Sequence, residues 1–473
     1  GGANVTIGYQ AADALAVGES HNIAIGSAAL GAVDEGTAGG DADHNIAIGS
    51  GALTGGDFGG SDRQLQGNIA IGGQAMDATG ANAQTGTIAI GRNALTALTS
   101  GAGSTAVGYN SQAALTTGSG NTSVGYNSLD AVVGGSHNVA VGYDALTTAA
   151  GNASHNTAVG RDALKTWNVD GDGNNTAMGS EAGTALTTGV SCVLIGAEAG
   201  KAAQDVDGLV LIGDNAGKTL NSSNCDGTVA IGKNALTSLT SGEDNLAIGY
   251  EALQDNTTGS SNIAIGYSAM DSANSGSFTH NIAIGKNALN ATSTNGSTGN
   301  IAIGTDALTD QTTGTANVAI GHLAMANTVS GQGNVAIGYN AMETAAHADA
   351  DYNTAIGYQA GVAITEGASN TLIGALAGDA ITTGDSNVII GYGSIAGNVD
   401  AQNRVAIGHT ATGQADNSVT LGNADVTAVY MAQDSGATVH AGKFQVGSPA
   451  ETPALGIQSD VNDIVQHMDN GAT

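Results

Sequence analysis

The chain is short of most of what builds an ordinary globular core. Of its 473 residues only 3% are aromatic, two are proline and two are cysteine, and ten Lys and Arg face 41 Asp and Glu. Each shortage excludes something. Without large aromatic side chains the core must rest on Ala, Ile, Val and Leu, which bury little area each, so it has to be thin and regular. Cys192 and Cys225 are too few for a disulfide framework, and buried or unpaired thiols are expected instead. The formal charge of −31 repels nucleic acid and anionic membrane, so neither is expected as a partner. No apolar run is long enough for a membrane-spanning helix. No secretory leader is visible and Gly1 stands in mid-repeat, so sequence upstream is expected.

What is present in excess is glycine, 75 residues without a three-residue period, which excludes collagen. A hydrophobic share of 41% excludes simple disorder. Of the acids, 32 are Asp, a turn former, which points to many short connections.

These residues are organised by repetition. "HNIAIGSAAL", from His21, returns as "NVAVGYDAL" from Asn138, "NIAIGYSAM" from Asn262 and "NVAIGYNAM" from Asn334. Aligned on the glycine that closes the apolar triplet (Gly26, Gly142 and Gly266 are examples), the chain resolves into 24 units, most spaced by 17 or 19 residues. Two early spacings of 23 and a final one of 14 depart from this. Asn stands four places before the glycine in 17 of the 24 units, including Asn22, Asn138 and Asn262. Stacked Asn amides hydrogen-bond along an axis, and Asn tolerates a tight turn.

Such a unit is too short for a helical hairpin and lacks a leucine-rich pattern. "NIAIG" reads as a short strand with Ile or Val on one face and Ala on the other. The expected fold is all-β: a parallel β-solenoid, or β-roll, of about 24 short coils spanning residues 1–423. Both strand faces are apolar, so both should be buried. One would fill the coil; the other, lined by Ala24, Ala47 and Ala70, would invite another chain. Residues 424–473 are not repetitive and contain both prolines, Pro449 and Pro453. "DVNDIVQHM" reads there as a short amphipathic helix, and the segment as a cap or trimerising terminus.

The run "RVAIGHTATGQADNSVTLGN", Arg404 to Asn423, resembles the head repeat of YadA-like trimeric autotransporter adhesins, with which it shares its short spacing and "NSV" strand. Extended loosely over residues 4 to 423, the resemblance implies a left-handed parallel β-roll, trimeric about a central axis and used for attachment. The longer units, such as "NTSVGYNSL" from Asn121, are more similar to those of phage tail fibres. "TAVYMAQDSGATVHAGKF", Thr427 to Phe444, is also similar to segments near the ends of such fibres. These residues hold no heptad stalk, basic neck or membrane barrel of the autotransporter kind, so both assignments stay open.

Several places suit ligands. Trp167, Phe58 and Phe278 fall in the turns, where a solvent-facing ring suits stacking on a sugar; the alternative is a local plug against the coil. "DGDGNNTAMGSE" places Asp170, Asp172, Asn174 and Glu181 at spacings like those of a calcium loop, though Asn175 stands where an EF-hand needs Gly. Asp144, Asp162, Glu181 and Glu198 lie two places after the glycine in successive units. Stacked, they would hold a cation or have raised pKa values, or else fan out into water near Arg161. Tyr follows the glycine in nine units, as a packed ridge or a sugar-binding edge. His residues before the Asn (His21, His44, His137, His155, His280) lack zinc-like spacing.

No nucleophile motif or singled-out carboxylate pair supports catalysis, and calcium is the one cofactor suggested. The expected function is a homotrimeric, extracellular structural and attachment fibre: a virion tail fibre or similar surface fibre that binds a surface glycan or host receptor. The alternatives are the head of a bacterial surface adhesin and a tailspike-like enzyme that degrades polysaccharide.

Overall fold

A computed structural model describes residues 2–15, 18–31, 41–55, 64–79, 83–149, 151–271, 278–290, 297–344 and 350–429. The chain divides into two units, Gly1–Asn423 and Ala424–Thr473. All assigned strands belong to the first. The helix and cap expected in 424–473 lie outside the described residues, as does Phe58.

Each repeat contributes one three-residue strand, and together they form a single parallel sheet of 24 strands. The register is strict: Ile23, Ala24 and Ile25 pair with Ile46, Ala47 and Ile48, and the same correspondence runs to Val405–Ile407 on Val419–Leu421. A second, short parallel sheet adds Asp41–Asp43 and Gln64–Gln66, which lie in the two 23-residue spacings, and Gln84–Thr85 in the 19-residue spacing that follows. The chain is therefore a parallel β-solenoid. Among the described residues the one helical element is a 3-10 turn, Ser223–Cys225, and no helix is long and apolar enough to cross a membrane.

Local stereochemistry explains the motif. Gly26 has φ +133°, and a Cβ built on it would lie 2.5 Å from the carbonyl oxygen of Gly49 in the next coil. Both the dihedral and the stacking distance exclude any other residue. Beyond the glycine the chain turns through left-handed residues two and four places on, such as Asn93 at φ 60° and Leu95 at φ 54°. Asn accepts that region readily. Leu does so at a cost of about 1–2 kcal/mol, which burial of its side chain, worth about 1.5–3 kcal/mol, offsets. The place before the Asn is left-handed too, with His21 at φ 61° and His44 at φ 60°. The His residues there thus meet a backbone requirement that His, Asn and Asp tolerate better than most.

The expectation about the two strand faces is corrected. Ala24, Ala47, Ala70 and their equivalents are fully buried within their own chain, packed with the Leu or Met four places after the glycine, such as Leu30, Leu53 and Met76. The Ile and Val columns point outward and are only partly buried. A coil of 17 residues encloses too little room for two β-branched rows, so the small residue goes inside.

Interior volume is conserved where the pattern changes. Leu194 and Leu211 replace Ala on the inner face, and the Leu that normally faces them becomes Gly183, Gly200 and Gly217. A Cβ on Gly183 would lie 2.6 Å from Leu194 Cδ1, and one on Gly217 would lie 2.8 Å from Leu211 Cδ1. Leu372 sits in the same way between Gly361 and Gly378.

The Asn column forms a buried ladder. Asn262 Oδ1 accepts the backbone N–H of Asn281 at 3.1 Å, while its amide nitrogen donates to the Phe278 carbonyl at 2.7 Å across the coil. Asn138 accepts from the N–H of Asn156 at 3.0 Å and donates to Ala153 O at 2.7 Å; Asn22 accepts from Asn45 N at 2.9 Å. Each amide therefore ties consecutive coils and the two walls of one coil together, satisfying main-chain groups that would otherwise be buried unpaired. Cys192 occupies this column, and Cys225 lies nearby; both are buried and unpaired, and burial pushes both thiols up to about 11. At the opposite turn, threonine hydroxyls extend the inter-coil bonding: Thr116 Oγ1 donates to Val133 O at 2.9 Å and Thr240 Oγ1 to Thr257 O at 3.0 Å. The recurring "TTG" turns are inter-coil fasteners.

Candidate functional site

The outer surface of the solenoid carries three regular columns, each set by strand alternation. The first two lie one and three places before the glycine and are mostly Ile and Val, with Thr105, Thr122, Thr157, Thr176, Thr354 and Thr371 in the second. Many stay well exposed, with Val124 at 39% and Met178 at 47%. At strand spacing the strip they form is about 110 Å long and about 10 Å wide, on the order of 1,100 Å². Soluble monomers rarely expose a contiguous apolar patch of more than a few hundred Å². The expectation that this face would be buried inside the coil concealed it.

The third column follows the glycine. Tyr109, Tyr126 and Tyr143 stack with ring centroids 5.2 and 5.3 Å apart and interplanar angles of 12° and 8°. Tyr250 stacks on Tyr267 at 5.2 Å, and Tyr339 on Tyr358 at 5.3 Å. Lys286 Nζ lies 5.9 Å from the centre of the Tyr267 ring, a cation–π contact. Because the rings are stacked along the axis, their faces are occupied by one another and mainly edges and hydroxyls reach solvent. That geometry suits a packed ridge rather than a platform for sugar rings.

Two further columns, two and five places after the glycine, form a charged edge. Lys165 Nζ bridges Asp144 Oδ2 at 3.1 Å and Asp162 Oδ1 at 2.8 Å. Arg161 joins Asp162 to Glu181, Lys201 bridges Glu181 at 2.5 Å and Glu198 at 3.1 Å, and Lys218 continues from Glu198. The acidic column is thus not a set of carboxylates fanned into water. It is one side of an ion-pair ladder. Hydrogen bonds from Lys201 and then Arg161 hold the Glu181 carboxyl below its ordinary range, and those from Lys218 and Lys201 do the same for Glu198. The signal in the sequence was the lysine five places after the glycine in these same units.

The residues proposed for calcium are each engaged differently. Asp170 Oδ1 accepts the Asn152 backbone N–H at 2.7 Å, Asp172 Oδ1 lies 2.8 Å from His155 Nδ1, and Glu181 belongs to the ladder. Asn174 is exposed and left-handed at φ 52°. Among the described residues no group of three or more His, Cys, Asp or Glu side chains is placed to hold a metal ion. Asp170 instead represents a recurring use of Asp. Asp207 accepts from Val190 N at 2.8 Å and Asp385 from Ala368 N at 2.8 Å, each capping an amide of the preceding coil.

Trp167 does not face solvent. It is fully buried, its Nε1 donates to Gly189 O at 2.9 Å, and it fills the inner corner held elsewhere by Leu98, Leu115 and Leu186. Gly173 makes room, since a Cβ there would come within 2.6 Å of the indole. Phe278 is only 4% exposed and packs in the wall. Neither ring offers a face to a ligand, which corrects their placement as solvent-facing aromatics. Buried apolar area outweighs the turn position that suggested exposure. One surface hollow, between Glu366, Ser369, Thr383 and Asp385, is open and polar, and Asp385 is already committed to the Ala368 amide; another, between Asn224, Ser241, Glu243 and Ser260, is also polar. No family model matches the chain, and no curated protein matches it.

Proposed function

We propose that the chain is a structural and attachment fibre, a virion tail fibre or similar extracellular surface fibre, assembled as a parallel homotrimer through the outward Ile and Val face. The single observation carrying this reading is an in-register solenoid whose outward strand side is predominantly apolar, Ile and Val interrupted by Thr in a few coils. Stable interfaces bury about 800 Å² per partner, and the strip offers on the order of 1,100 Å², so three copies meeting along it would remove a surface that water disfavours. Identical repeats let each coil meet its equivalent, which closed symmetry requires. The threefold and the attachment role rest on the resemblance to adhesin heads and tail fibres. The final short coil, Val405–Ile407 stacked on Val419–Leu421, favours the bacterial adhesin head as the second reading.

In this reading the work is mechanical: a stiff shaft places a binding end at a distance. Analytical ultracentrifugation tests the assembly. A trimer is expected for the native chain and monomers for Ile265→Asp combined with Ile284→Asp, which charge the face without touching the core. A native chain that stays a folded monomer at micromolar concentration refutes the assembly, and a trimer that fails to bind any host surface refutes the attachment role.

A further inference from the structure

Along the charged edge, the place five after the glycine carries Lys165, Lys201 and Lys218 in the middle coils, where each ammonium pairs with carboxylates two places after a glycine. The equivalent place holds Asp271 in the Gly266 coil and Asp130 in the Gly125 coil. Asp271 meets Glu251 and Asp255 of the preceding coil, with Ser268 as its hydrogen-bonding neighbour. Glu251 is itself bonded to the Tyr250 hydroxyl, and Lys286 of the following coil is drawn over the Tyr267 ring. Asp271 Oδ1 is buried and accepts no hydrogen bond. Asp130 likewise faces Asp144, whose own partners are Asn127 and Lys165.

We propose that this edge is a proton-responsive seam, in which the Gly249 and Gly266 coils are held together by a proton on Asp271 where the Gly160 to Gly213 coils are held by lysine. A proton does there what an ammonium does elsewhere: it removes the repulsion between carboxylates brought together by the in-register stack. The seam lies within one chain, whatever the number of chains in the fibre.

Burial first, and then the charges of Glu251 and Asp255, raise the Asp271 pKa from 3.8 to about 6; burial and then Asp144 raise Asp130 to about 6. A folded-state pKa above the unfolded value means that the folded chain binds the proton more tightly. The resulting stability is fully present below about pH 4 and is lost as pH rises through about 6. The lysine-bearing coils have no such term in this window, because the carboxyls of Glu181 and Glu198 are shifted down. The seam therefore tightens in mildly acidic surroundings and loosens at neutral pH.

Hydrogen–deuterium exchange on the full chain tests this, with peptides covering 246–271 compared between about pH 5 and about pH 7.5 after correction for intrinsic rates. Protection should be about tenfold greater at the lower pH, the change that one pKa unit represents. Peptides covering 193–218 should not change. Asp271→Asn should keep high protection at both pH values, and Asp271→Lys should do so by restoring the missing cation. Protection in the native chain that ignores pH overturns the proposal, as does an Asp271→Asn chain with the native pH slope. A change in particle size between the two pH values would also overturn it, since the loosening would then lie between chains.

Discussion

Leu194 occupies the space left by the missing side chain of Gly183 in the preceding coil, its Cδ1 lying 2.6 Å from where a Cβ would stand. The two positions therefore share one volume. Leu194→Ala should cost about 2–5 kcal/mol through the cavity it opens. Gly183→Leu alone should overpack the corner and cost about 1–3 kcal/mol. Together they rebuild the common coil, and chemical denaturation should show the double variant more stable than the sum of the two losses. The converse holds at Ala264, which is buried in a coil of the common type with Leu253 and Met270 in place. Ala264→Leu should lower the melting temperature of the shaft by overpacking its interior.

The Asn ladder predicts a second asymmetry. Asn262→Ala leaves the Asn281 N–H and the Phe278 carbonyl without their partner. A buried polar group left unsatisfied costs about 1–3 kcal/mol, far more than loss of an exposed Asn. Differential scanning calorimetry should show Asn262→Ala markedly less stable than the exposed Asn221→Ala.

Trp167 predicts a spectroscopic result. As the only tryptophan, buried and hydrogen-bonded to Gly189, it should emit at short wavelength and resist acrylamide quenching until the shaft unfolds. Trp167→Ala should cost about 3–5 kcal/mol. Binding to cells or glycans, measured below the melting temperature of the variant, should be unchanged.

The ion-pair ladder predicts the acid limb of stability. Glu181, Glu198 and Asp416 have folded-state pKa values below their ordinary ones, held down chiefly by Lys201, by Lys218, and by the Gln402 amide with Arg404. The folded chain thus binds these protons less tightly than the unfolded chain does. Their stabilisation is present above the ordinary carboxylate range and is lost as pH falls through the lowered values. Melting temperature should therefore drop below about pH 4, and added salt should shrink the part owed to the half-buried Lys201 and Lys218 pairs.

The fold was legible because periodicity is a local property written many times. Asn22, Gly26 and their equivalents recur at a spacing that permits one coil per unit, and glycine at that place is demanded by its own backbone and by the glycine stacked on it. The thiols of Cys192 and Cys225 were legible as buried or unpaired from their number, too few for a disulfide framework. Which face of "NIAIG" turns inward was not legible. Alternation separates Ala from Ile but does not say how narrow the coil is, and the narrow coil puts Ala inside and leaves Ile and Val to the exterior. The roles of Trp167, Glu181 and Asp271 were hidden likewise. Each depends on what the neighbouring coil places beside it, some 20 residues away in sequence: the Gly189 carbonyl, the Lys201 ammonium and the Glu251 carboxylate. The repeat determines that coils stack; only the stacked structure decides which side chains become neighbours, and hence which charges are matched, which rings are buried and which surface is left apolar.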